Sequence, residues 1–108
     1  MKKYIFLGML ALLCGFATAQ KTYTQGGCSA PNASRWDCGN NWSPNGEPTA
    51  STNAIISNGG TGVCNVIQAD DVCNNLTINA CATLNINGTL LVYGNLTVNG
   101  TLSIKTGG

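Results

Sequence analysis

The chain has 108 residues, a formal net charge of +1, no histidine and only 8% charged side chains, against about 25% in an average globular domain. That is one small domain at most, and it lacks the basic surface with which proteins hold nucleic acid or an anionic membrane. Four acids (Asp37, Glu47, Asp70 and Asp71) and no imidazole exclude most acid–base and zinc chemistry, so no catalytic residue, cofactor or metal is expected and the chain does not read as an enzyme.

Residues 1–19 begin with Lys2 and Lys3, continue as an apolar run over 4–17 and end in Ala17-Thr18-Ala19. This is the layout of a cleaved signal peptide, with Gln20 as the first mature residue. The run is shorter than the roughly twenty residues that span a bilayer. A lipoprotein leader, with Cys14 as the lipidated residue, is disfavoured by the bulky Leu13 before it. No second apolar segment follows, so the mature chain is expected to be secreted or at the cell surface, without a membrane span. Its formal charge becomes −1, from Lys21, Arg35 and Lys105 against the four acids.

Export makes disulfides the natural reading of the cysteines that remain, Cys28, Cys38, Cys64, Cys73 and Cys81. Cys28 with Cys38 is favoured because it closes a short Gly/Asn-rich segment, and Cys64 with Cys73 or Cys81 comes next. An odd number leaves at least one thiol free or intermolecular.

Residues 20–62 read as an irregular N-terminal cap region. They contain WDCGNNWSPNGEP at 36–48, with both tryptophans, a Pro44-Asn45-Gly46 turn, and Pro48 to forbid a helix. Trp36 and Trp42 are read first as packing over the end of a β core. The sharper alternative makes them glycan contacts through ring stacking.

Residues 63–108 read as repeats. Even positions from 72 to 104 are apolar or Gly except Asn74, while odd positions are mostly Asn and Thr, the period-two alternation of half-buried strands. A six-residue period is superimposed: Gly88, Gly94 and Gly100; Leu90, Leu96 and Leu102; Ile86, Val92, Val98 and Ile104. Asn87-Gly88 and Asn99-Gly100 look like hairpin turns, but hairpins there would put Leu84 and Ile86 on one face and Leu90 and Val92 on the other. A chain that keeps winding one way preserves the parity. Glycine at each bend is expected to supply backbone conformations closed to other residues. The favoured fold is therefore all-β, a parallel β-solenoid of about two coils, about eighteen residues per turn. The pattern breaks off at Lys105, which suggests the start of a longer array or stacking of the coil end on another chain.

The run of Trp36, NNWS, Pro48, then NLTI, ATLNI, GTLLV, GNLTV and NGTLSI, resembles the start of secreted β-helical, adhesin-like and passenger-type repeat proteins of the Bacteroidota. The resemblance covers residues 36–104. It implies a right-handed β-helix, surface exposure, and an adhesive or scaffold role with surface glycans or other cell-surface proteins as partners. The alternatives are the carbohydrate-binding front end of a β-helical polysaccharide-active protein and an ice-binding solenoid. For the latter, Thr77, Thr83, Thr89 and Thr101 would form the outer array. The acceptor tripeptides at Asn32, Asn41, Asn75, Asn87, Asn95 and Asn99 follow from composition, and Asp70-Asp71 reads as a polar bend, since neighbours on a strand point to opposite faces.

Overall fold

The computed structural model describes residues 19–105; the signal peptide expected over 1–19, with Cys14, lies outside them apart from Ala19. The described residues are all-β, with ten short strands and one 3-10 turn, Gly39–Asn41. The strands are β1 (Gln20–Tyr23), β2 (Trp42–Ser43), β3 (Asn53–Ile56), β4 (Val63–Val66), β5 (Asp71–Cys73), β6 (Leu76–Ile78), β7 (Thr83–Ile86), β8 (Leu90–Val92), β9 (Leu96–Val98) and β10 (Thr101–Ile104).

They form three sheets, ordered β2-β1-β3-β6-β9, β10-β7-β4 and β5-β8. From β3 onward the chain visits the three sheets in rotation, and every pairing there is parallel. The one antiparallel pair is β1 with β2. Asn87-Gly88 and Asn99-Gly100 therefore do not close hairpins: their flanking strands lie in different sheets. Equivalent positions line up as Ala54–Leu76–Leu96, Cys64–Leu84–Leu102 and Cys73–Val92. Parallel pairing begins before the expected boundary at residue 63, because β3 alternates Ala54 and Ile56 inward over only four residues, too short a run to stand out from a Ser/Thr/Asn-rich surround.

Bend length explains the registers. The bend from β3 to β4 takes six residues (57–62), that from β6 to β7 four (79–82), and that from β9 to β10 two (99–100). The interval between paired positions accordingly shortens from 22 residues (Ala54 to Leu76) to 18 (Leu84 to Leu102), and only the last interval has the expected length. Even-number parity holds from Leu76 on, with Leu76, Ile78, Ala82 and Leu84 buried. It fails one strand earlier: Asp71 and Cys73 point inward, and Val72 is only partly covered. The reason is a one-residue transfer between bends. Residues 67–70 and 74–75 flank β5, whereas 87–89 and 93–95 flank β8, so β5 is displaced by one residue and its phase inverts.

In the bend at 57–62, Gly60 and Gly62 do take positive φ, 60° and 70°, but Gly88 and Gly100 act through space rather than dihedral freedom. Gly88 and Gly100 are not among the residues with positive φ. A Cβ on Gly88 would run into the carbonyl oxygen of Gln68, and one on Gly100 into those of Ala82 and Asn79. Adjacent bends approach too closely for any side chain.

The core runs from Tyr23, Trp36 and Trp42 through Ala54, Ile56, Cys64 and Val66 to Ile78 and Leu84, and Ile86, Leu90, Val92 and Leu102 pack against it partly buried. Burial fades at β9 and β10, where Leu96, Val98 and Ile104 are exposed. Leu84→Ala should therefore cost about 2–5 kcal/mol in denaturant-induced unfolding, while Leu96→Ala, at a half-exposed position, should cost well under half as much.

Candidate functional site

The N-terminal segment closes one end of the sheets with aromatic rings. Trp36 and Trp42 meet edge to face at 4.8 Å between centroids, and Tyr23 meets Trp42 in the same way at 5.4 Å. The Trp42 indole N–H donates to the Trp36 carbonyl at 2.7 Å, and the Tyr23 hydroxyl donates to the Val63 carbonyl at 2.9 Å. The segment joins β4 through its backbone, with Asn65 N–H donating to Ser34 O and Trp36 N–H to Asn65 O. Asn41, also buried, holds the turn by donating to the carbonyls of Ala33 and Arg35. Both tryptophans are at most 1% exposed. They offer no ring face to a sugar, which corrects their reading as glycan contacts: a domain this small needs its largest side chains for the core.

Tyr93 is the one exposed aromatic among the described residues, at 64%. With Leu91, at 50%, it faces outward from β8 and the bend after it. Its odd number, within an even-inward run, was the available signal in the sequence.

Asparagines line up along the outer face and bends. Asn53, Asn75 and Asn95 occupy equivalent positions just before or at the start of β3, β6 and β9. Asn75 N–H donates to Asn53 Oδ1 at 3.1 Å, and Asn95 N–H donates to Asn75 Oδ1 at 2.8 Å. On the next sheet Asn85 Nδ2 donates to Asn65 Oδ1 at 3.0 Å. These amides satisfy backbone and side-chain groups between stacked strands, a structural reason for an Asn-rich repeat. The threonines split between sheets, Thr77 beside Thr97 and Thr83 beside Thr101, and Thr89 stands in the bend before β8. They form columns two residues deep rather than one flat array.

The carboxylates gather near the aromatic end. Arg35 grips Asp37 with two nitrogens, at 2.8 and 2.6 Å, and Gln68 donates to the same carboxylate at 2.7 Å. Asp70 is exposed and Asp71 buried at 1%. Asp71 opens β5 and enters the interior instead of lying in a solvated bend. Glu47, from the loop after the Pro44 turn, is exposed and feels the Asp71 charge. Loss of water, then the Asp71 charge, push Glu47 up to about 7, and burial first of all raises Asp71. The sequence singled out neither Glu47 nor this effect of Asp71 on it, since 24 residues separate the two acids. Among the described residues no cluster of Cys, Asp and Glu has metal-holding geometry and no pocket opens.

Of the five candidate cysteines, Cys28 and Cys38 are bonded, with Cα atoms 6.6 Å apart. Cys64, Cys73 and Cys81 are free, so the second expected pair does not form. Cys64 and Cys73 are core side chains on β4 and β5, in different sheets, while Cys81 sits exposed at a left-handed turn position, φ 68°. Burial pushes the Cys64 thiol well up and that of Cys73 up to about 12. Alkylation of the native protein followed by peptide mapping should label Cys81 promptly, and Cys64 and Cys73 only after unfolding. No family model, curated protein or solved structure matches this chain.

Proposed function

We propose that the chain is a β-solenoid acting as a non-catalytic, structural or adhesin-like module, exported through a cleaved signal peptide to the cell surface. The observation that carries this reading is the rotation of parallel strands through three sheets in register, with aliphatic side chains inward and Asn and Thr outward. Stacks of this kind expose long, regular outer surfaces, which suit adhesion and spacing. The composition of residues 1–19 supports export, and the Cys28–Cys38 bond suits an oxidising compartment. Among the described residues no helix is long and apolar enough to cross a membrane.

A carbohydrate-binding role is the second reading, and Tyr93 favours it. An exposed phenol ring beside Leu91, with asparagine amides on the neighbouring bends, is the arrangement that stacks a sugar ring and bonds its hydroxyls.

Two measurements test these readings. Surface labelling of intact producing cells, with N-terminal sequencing of the mature protein, should find an accessible chain that starts at Gln20; retention inside the cell with residues 1–19 intact refutes the export reading. On a glycan array, saturable binding that falls at least tenfold in Tyr93→Ala, with unchanged thermal unfolding, establishes the sugar-binding reading. No saturable binding removes it and leaves the scaffold.

A further inference from the structure

We propose that Asn58 is a site of spontaneous self-modification, at which the backbone nitrogen of Gly59 displaces the side-chain amide and converts Asn58 to aspartate and isoaspartate. An asparagine followed by glycine is open to this chemistry because no Cβ on the next residue crowds the approach of its nitrogen to the side-chain carbonyl. The chain holds four such pairs, Asn45-Gly46, Asn58-Gly59, Asn87-Gly88 and Asn99-Gly100. All four asparagines are exposed, so exposure does not rank them.

The state of the attacking nitrogen does. Gly46 N–H donates to Gly39 O at 2.9 Å, Gly88 N–H to Val66 O at 3.0 Å, and Gly100 N–H to Ile78 O at 3.1 Å. The last two bonds belong to the stacking of one level on the next, since Val66 O and Ile78 O also accept from Asn87 and Asn99 N–H. A nitrogen held in this way can neither lose its proton nor turn toward the side chain until the bond opens. Gly59 N–H instead reaches the Ser57 hydroxyl, two residues back, at 3.3 Å. That contact is long for an N–H···O bond and ties the nitrogen only to its own bend. Asn58 is followed by two glycines, Gly59 and Gly60, in the longest of the three connections at this corner, 57–62, where the backbone has most freedom to rotate into a ring-closing geometry.

The reaction balances with water as the only co-reactant. Gly59 N bonds to Asn58 Cγ, the Cγ–Nδ2 bond breaks, and ammonia leaves with the proton from Gly59 N. Water then opens the succinimide ring at either carbonyl. One opening gives aspartate. The other gives isoaspartate, routes the main chain through the former side chain and lengthens the bend by a methylene. The extra length and the new carboxylate both fall in the connection between β3 and β4, outside the paired strands.

The test ages the full native chain in mildly alkaline buffer and follows each Asn-Gly pair by peptide mapping that separates asparagine, aspartate and isoaspartate. Asn58 should convert about tenfold faster than Asn45, Asn87 and Asn99, the factor expected when a backbone hydrogen bond must open before reaction. In denaturant, with the disulfide reduced, the four pairs should convert at similar rates, because each then presents a free glycine nitrogen. Asn58→Gln, whose ring closure is slower, should remove the early release of ammonia from the native chain. Equal native rates at the four pairs, earlier conversion at Asn45, Asn87 or Asn99, a lead for Asn58 that persists in the unfolded chain, or undiminished ammonia release from Asn58→Gln would overturn the proposal.

Discussion

Everything in this molecule depends on parallel register between strands that are far apart in sequence. A strand shows alternate side chains to opposite faces, and a parallel neighbour in register repeats that choice at the same height. Once Ala54 and Ile56 face inward on β3, Leu76 and Ile78 must do so on β6, and Leu96 and Val98 follow on β9. The strands are only two to four residues long, so no single one buries enough apolar surface to hold itself. Each is kept in place by the strand or strands paired with it, and asparagine side chains carry hydrogen bonds from one level to the next.

The ends of the sheets are unequal as a result. At the N-terminal end, Tyr23, Trp36 and Trp42 cover the inward side chains, and the disulfide ties residue 28 to residue 38 within the same segment. The fully buried aromatic, asparagine and aspartate side chains all lie there or beside it. At β9 and β10 the inward positions become accessible and the outer backbone edges carry no paired strand among the described residues. Stability is therefore concentrated near the aromatic cluster and declines along the stack.

Much of the architecture was legible because its signals are local. The six-residue spacing of Gly88, Gly94 and Gly100 reports bends directly, and the parity argument excluded hairpins without any knowledge of partners. What was not legible depended on bend lengths and on distant pairing. The inward turn of Cys73 in place of Val72 follows from one residue more in 67–70 and one fewer in 74–75, a difference visible only once the strands are aligned. The roles of Trp36 and Trp42 could not be separated in sequence, since an indole that packs and one that stacks on sugar look alike until burial is known. The burial of Asp71 follows from the bend lengths around β5, which no spacing rule encodes. Gly88 and Gly100 were identified, but their reason differs: neighbouring backbone, rather than a positive φ, excludes a side chain.

The shrinking bend between the first and second sheets, six residues at 57–62, four at 79–82 and two at 99–100, separates length from register. Since the strands at either side keep their pairing while the connection between them loses residues, this corner acts as a tolerant seam. A connection that lengthens or shortens there changes the outline of the molecule, while the paired strands on either side keep their inward side chains in register.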